Sequence, residues 1–171
     1  MKKICLISFL ILLGLASALA QTPSPFPFFG TINSDNVNIR WDSRVSAEEI
    51  YKARKGERVE VVLELYDWYK VRLPGAASVF VRKDLAAVIE DLPPNPPKSV
   101  NEATQKAPRK ARIIKESVNI RLRPNESAPI LGKADKEEIV IILGEEGAWY
   151  RIDPPPNTFG WVHKKFVERQ L

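Results

Sequence analysis

Val37-Asn38-Ile39-Arg40 and Val118-Asn119-Ile120-Arg121 are the same four residues, 81 positions apart. The spacing persists downstream. Trp68-Tyr69-Lys70-Val71 falls on Trp149-Tyr150-Arg151-Ile152, and Phe80-Val81 falls on Trp161-Val162. Three blocks in one register, separated by quite different sequence, define a repeated folding unit of about sixty residues. The repeats span 30–91 and 111–171.

Both repeats read as all-β. In the second, 111–115, 118–122, 138–143, 149–152 and 160–162 are short runs rich in β-branched and aromatic residues. Turn chemistry bounds them at Arg123-Pro124-Asn125, 144–147 and Pro154-Pro155-Pro156-Asn157. Ser46 to Arg54 in the first repeat has the composition of a short helix. Its partner, 127–135, contains Pro129 and Gly132, which argues against one. Short strands and tight turns in a unit too small for two full sheets predict a compact, partly open barrel.

Outside the repeats, Lys2 and Lys3 precede an apolar run from Ile4 to Leu15, and Ala18-Leu19-Ala20 offers a small-x-small cleavage site. That is the pattern of an export signal over 1–20, so the membrane is expected to be met only through this segment. Cys5 lies inside it, and the mature chain is expected to hold no cysteine. Residues 21–29, with alternating prolines, predict a flexible terminus whose Phe26, Phe28 and Phe29 are free to dock on the first repeat. Residues 92–110 carry Pro93, Pro94, Pro96, Pro97 and Pro108 with few large apolar side chains, and predict an extended spacer. Its PxxP pattern also fits polyproline ligands. The formal charge is +5. Without Lys2 and Lys3 it falls to +3, the two repeats are near neutral, and the surplus sits in the spacer. Neither repeat has the basic face that a nucleic acid demands.

Val118-Asn119-Ile120-Arg121 with Pro124, Ile130-Leu131-Gly132, Trp149-Tyr150-Arg151-Ile152 and Phe159-Gly160-Trp161-Val162 together resemble the bacterial SH3-like domain. The first repeat resembles it less, lacking a proline after Arg40 and showing Ser78-Val79-Phe80-Val81 in place of the Gly-Trp-Val ending. The resemblance implies two SH3-like β-barrels joined by a Pro-rich linker and a non-catalytic role in an exported protein, periplasmic or secreted. It also implies recognition of peptidoglycan or of an envelope protein or peptide, either alone or beside a cell-wall hydrolase.

The residue inventory agrees with a binding role. One histidine, His163, and no mature cysteine leave no zinc ligand set and no cysteine nucleophile. His163 beside two lysines is expected to cap a surface turn. No glycine-rich phosphate loop is present, and neither a cofactor nor a metal is expected. The aromatics are the candidate ligand contacts. Strand parity turns Tyr69 and Tyr150 inward and Trp68 and Trp149 outward. Trp149 with Trp161 is expected to form an aromatic floor, Arg121 to hold a carboxylate, and Asn119 to hydrogen-bond at the same edge. In the first repeat Arg40 and Trp68 are the counterparts, with Trp41 beside Arg40 as a substitute for the tryptophan that Phe80 replaces.

Overall fold

The computed structural model describes residues 26–89 and 109–170. The expected export signal over 1–20, Cys5 and the PxxP pattern lie outside them. Seven strands come from each repeat. The first contributes β1 (Phe28–Ile32), β2 (Val37–Arg40), β3 (Glu49–Ala53), β4 (Arg58–Leu65), β5 (Trp68–Arg72), β6 (Val79–Arg82) and β7 (Ala86–Ile89). The second contributes β8 (Arg109–Ile113), β9 (Val118–Arg121), β10 (Ile130–Ala134), β11 (Ile139–Glu146), β12 (Trp149–Ile152), β13 (Phe159–His163) and β14 (Val167–Arg169). A short 3₁₀ turn precedes β7 and another precedes β14. Residues 49–53 are a strand, as the repeat register requires.

The 81-residue period extends into backbone detail. Left-handed residues occur at Asn36 and Ser117, at Gly56 and Glu137, and at Tyr66 and Gly147. Each pair is one period apart. The bulges match too: Ile50 and Leu131 are the extra residues opposite β2 and β9, and Val62 and Leu143 those opposite β5 and β12. A bulge bends its strand and raises the local twist, so equal placement gives both sheets the same curvature.

The strands form two seven-stranded antiparallel sheets, ordered β14-β1-β4-β5-β13-β2-β3 and β10-β9-β6-β12-β11-β8-β7. Neither sheet is built from one repeat. β6 pairs with β12 and β9 of the second repeat, and β13 pairs with β5 and β2 of the first. β7 likewise joins β8, and β14 joins β1. The repeats have traded their closing strands within one chain, a domain swap without a second copy. Among the described residues, the first unit is therefore 26–72 completed by 159–170, and the second is 79–89 with 109–152.

This alters the expected boundaries. The repeats at 30–91 and 111–171 are periods of sequence, while each folded sheet takes strands from both. The segment 21–29 is not wholly a flexible tail, because β1 starts at Phe28, and Phe26 and Phe28 pack on the core. Phe28 meets Tyr69 edge-on at 5.5 Å. The spacer ends before residue 110, because Arg109 and Lys110 pair with Ile142 and Ile141 as part of β8. Two strands escaped the sequence reading in the second repeat. β10 hides behind a proline and a glycine, and β14 has three residues.

The crossings are Leu73–Ser78 and Asp153–Thr158. Pro74 begins one, and Pro154, Pro155 and Pro156 fill the other. Proline holds itself and its predecessor in extended backbone, which favours spanning between units over folding back in a tight turn. Both closing segments dock alike. Lys164 N–H donates to the Asp67 carbonyl and Lys83 N–H to the Ala148 carbonyl, each at 2.9 Å. Asn33 N–H reaches the Phe166 carbonyl at 3.0 Å, and Ile114 N–H the Leu85 carbonyl at 3.1 Å. Buried apolar residues of both units join in one cluster, including Ile39, Val71, Val79, Ile120, Ile152 and Val162. Arg123 of the second unit also donates to Glu48 of the first at 2.7 Å.

Candidate functional site

Period-two alternation sets the face of each residue on β5 and β13. Tyr69, Val71 and Val162 point inward, so Trp68, Lys70, Arg72, Phe159, Trp161 and His163 point outward. The register aligns Trp68 with His163, Lys70 with Trp161 and Arg72 with Phe159. Three aromatic or imidazole rings of the second repeat thus stand beside Trp68 and two cations of the first. The Lys70 ammonium lies 4.8 Å from the Phe159 ring centroid and 5.9 Å from that of Trp161. Arg72 is held at 2.8 Å by Glu60, and its guanidinium keeps the Glu60 carboxyl below the ordinary carboxylate range.

Beside this face runs a groove of about 250 Å³, lined by Asp35, Asn38, Arg40, Trp68, His163 and Phe166 among others. His163 stands 5.4 Å from Trp68 and 6.3 Å from Phe166, so it continues the aromatic wall. Its Nδ1 accepts from Lys165 N–H at 3.3 Å, the turn-capping role expected of it. The groove exists because of the exchange. Its floor comes from the first repeat, and His163, Lys165 and Phe166 come from the second.

The corresponding surface of the second unit carries different side chains. Its equivalents of His163, Lys165, Phe166 and Val45 are Arg82, Asp84, Leu85 and Glu126. Arg82 donates to Asp84 at 2.8 Å and pairs with Glu126 as well, so ion pairs stand where the first unit has its groove lining. The Asp84 carboxyl is held low by the Arg82 hydrogen bond. Trp149 and Phe80 are each only 7% exposed.

The six candidate contacts therefore divide. Arg40, Trp68 and Trp161 gather in the first unit, while Asn119, Arg121 and Trp149 lie in the second. Trp149 and Trp161 do not form a floor, because the strand bearing Trp161 has moved to the other sheet; Trp68 takes the place beside it. Trp149 is buried despite its outward parity. Arg121, expected to hold a carboxylate, directs Nη1 to the Ala128 carbonyl at 2.8 Å. Arg40 makes the same contact with the Ala47 carbonyl at 2.5 Å. The arginine of the repeated motif ties down the loop that follows it. The Asn38 amide, oriented to satisfy both its ends, bridges Glu49 Oε2 and Arg40 Nη2 at 3.0 Å each. Trp41 is partly buried against the core, with the Arg44 guanidinium 5.4 Å from its ring. Lys70 and Phe159 were missed by the sequence reading. Lys70 shares parity with Trp68, so alternation could have found it; Phe159 required the exchanged pairing.

Comparison with known proteins places these observations. Residues 116–168 match the bacterial SH3 domain. Over 123 residues the chain is 26% identical to YrvJ of Bacillus subtilis (strain 168), a protein assigned by name as an N-acetylmuramoyl-L-alanine amidase. The match takes in 72% of this chain, which spans 23% of that relative's length. The SH3 match begins just before β9 and ends within β14, so its final two strands lie in the first unit. Residues 116–168 of this chain belong by sequence to the bacterial SH3 domain, and the stretch one period earlier repeats their Val-Asn-Ile-Arg and Trp-Tyr motifs.

Proposed function

We propose that the protein is a non-catalytic exported module that binds the cell wall through the outer face of its first unit. The observation that carries this reading is the grouping of Trp68, Trp161 and His163 beside Lys70 on one accessible face. Flat rings with polar edges suit stacking against sugar rings. Lys70 has no carboxylate partner among the described residues and stands ready for the terminal carboxylate of a peptide stem. Peptidoglycan offers both groups on one polymer. The bacterial SH3 match and the similarity to a protein named for an amidase support the same target. Export rests on the Lys2-Lys3 and apolar pattern of the first twenty residues.

Cosedimentation with purified sacculi tests this. Trp68→Ala and Lys70→Ala are expected to lower the bound fraction at least tenfold with the fold intact. Undiminished binding by both would overturn the assignment. A second reading, an envelope protein scaffold, has one observation of its own. The β4–β5 tip exposes Leu63, Leu65 and Tyr66, where the second unit has Gly144, Glu146 and Gly147. A partner captured by crosslinking from the tip, with no sacculus binding, would favour it.

A further inference from the structure

Gly160 sits in β13 where a side chain cannot. A Cβ built there would lie 2.5 Å from Ile39 Cγ2, 3.1 Å from Leu73 Cδ2 and 3.2 Å from the Arg40 carbonyl oxygen. One period earlier the residue is Val79, which is fully buried in the second unit. The slots differ to match. Beside Gly160 the chain leaves β5 through Leu73, and at the corresponding place of the second unit it leaves β12 through Pro154. Returning each closing strand to its own repeat would drive the Val79 side chain against Ile39 and Leu73. It would also leave the space now filled by Val79 to a glycine. Interiors tolerate neither an overlap nor a void of that size without loss.

A second contrast points the same way. Arg82 meets Glu126 in the second unit, but in the first it would meet Val45 at the Glu126 position. The other docking contacts do not discriminate, because Lys164 with Glu64 and Lys83 with Glu145 are one period apart and equivalent.

We infer that Gly160 and Val79 form a steric key that fixes the exchange, making Gly160 the positioning residue that brings Trp161, His163 and Phe166 beside Trp68. The binding face is thus a product of both repeats, and neither would present it alone. The key stands on geometry; only its link to wall binding rests on the function proposed above.

Disulfide trapping in a full-length Cys5→Ser background tests it. Thr31 and Glu168 face each other across β1 and β14. Contiguous repeats would instead set Glu168 opposite Arg112, whose present partner is Ala87. Directly opposed cross-strand positions are close enough for cysteines to join. Thr31→Cys with Glu168→Cys is expected to form its disulfide within the monomer, and Arg112→Cys with Glu168→Cys to form none. Reversing the key with Val79→Gly and Gly160→Val is expected to cut the first product at least fivefold and generate the second. Sacculus binding should fall in parallel. Three results would overturn the key: an undiminished first product, a variant that forms neither product, or a first product that appears only as a dimer. Trapping as expected with binding unchanged would leave the key standing and remove the proposed wall-binding face.

Discussion

Trp161 lies opposite Lys70, a residue of the other repeat, while Arg151, the equivalent of Lys70 in its own repeat, lies opposite Phe80. This one relationship decides which aromatic residues share a face. It also separates two tryptophans that adjacent motifs would have placed together, and so sets what each substitution should do.

Trp149 and Trp68 occupy equivalent positions with opposite expectations. Trp149 is 7% exposed, and Trp149→Ala should destabilise the protein by about 3–5 kcal/mol, the usual cost of emptying a large buried site. Trp68 is half-buried, and Trp68→Ala should cost about 1–2 kcal/mol while removing most sacculus binding. Denaturant melts beside cosedimentation separate the two.

Tyr66 holds a φ of 50° at the β4–β5 tip, where the second unit places Gly147 at 55°. A left-handed residue with a side chain costs about 1–2 kcal/mol, partly offset by the entropy that glycine loses on folding. Tyr66→Gly should therefore stabilise the chain by about 0.5–1 kcal/mol, and Gly147→Ala should destabilise it by a similar amount. Thermal denaturation reads both.

Arg40 and Arg121 each bond a carbonyl seven residues ahead. Arg121→Met should cost about 1.5–3 kcal/mol, the range for hydrogen bonds from a charged donor, and leave sacculus binding unchanged below the melting transition. Arg121→Lys should recover only part of this, because an ammonium on a flexible stem replaces a planar group that holds Nη1 toward the carbonyl. Retained stability in both variants would show that the loop holds itself.

Glu60 has its carboxyl lowered from 4.5, chiefly by its hydrogen bond to Arg72, which outweighs the opposing effect of burial, with a lesser contribution from the adjacent positive charge. A carboxyl lowered in the folded state adds stability that is complete above the unfolded value and is lost as pH falls through the folded one. Stability should thus decline below about pH 4.5 more steeply in the wild type than in Glu60→Gln. The pair is partly exposed, so high salt should shrink the difference. Urea midpoints between pH 3 and 6 would show it.

Much of the fold was legible because it is local. Strand parity placed Tyr150 and Ile152 in the core, and the period rejected a helix at 46–54 although its composition permits one. The partner of each strand was not legible. β6 and β13 are alike in pattern and would pair with either β5 or β12, so hydrophobic alternation is blind to the choice. The difference lies in side-chain volume at Val79 and Gly160, and volume acts only once three dimensions are known. The expected pairing of Trp149 with Trp161 failed for the same reason. Trp68, Trp161 and Arg40 gather in the first unit, but sequence proximity joined Trp161 to Trp149. Trp149 and Arg121 were assigned exposure by parity, which registers neither the burial of Trp149 nor the bond from Arg121 to the loop after its own strand.

The exchange can be read most directly from cross-strand nuclear Overhauser effects to the backbone of Trp161 in the isotopically labelled protein. Opposed strands bring backbone protons within reach, and the two arrangements give Trp161 different neighbours. The account predicts contacts from Trp161 to Lys70 on one side and Arg40 on the other. Contacts from Trp161 to Arg151 and Arg121 would return each closing strand to its own repeat and contradict it.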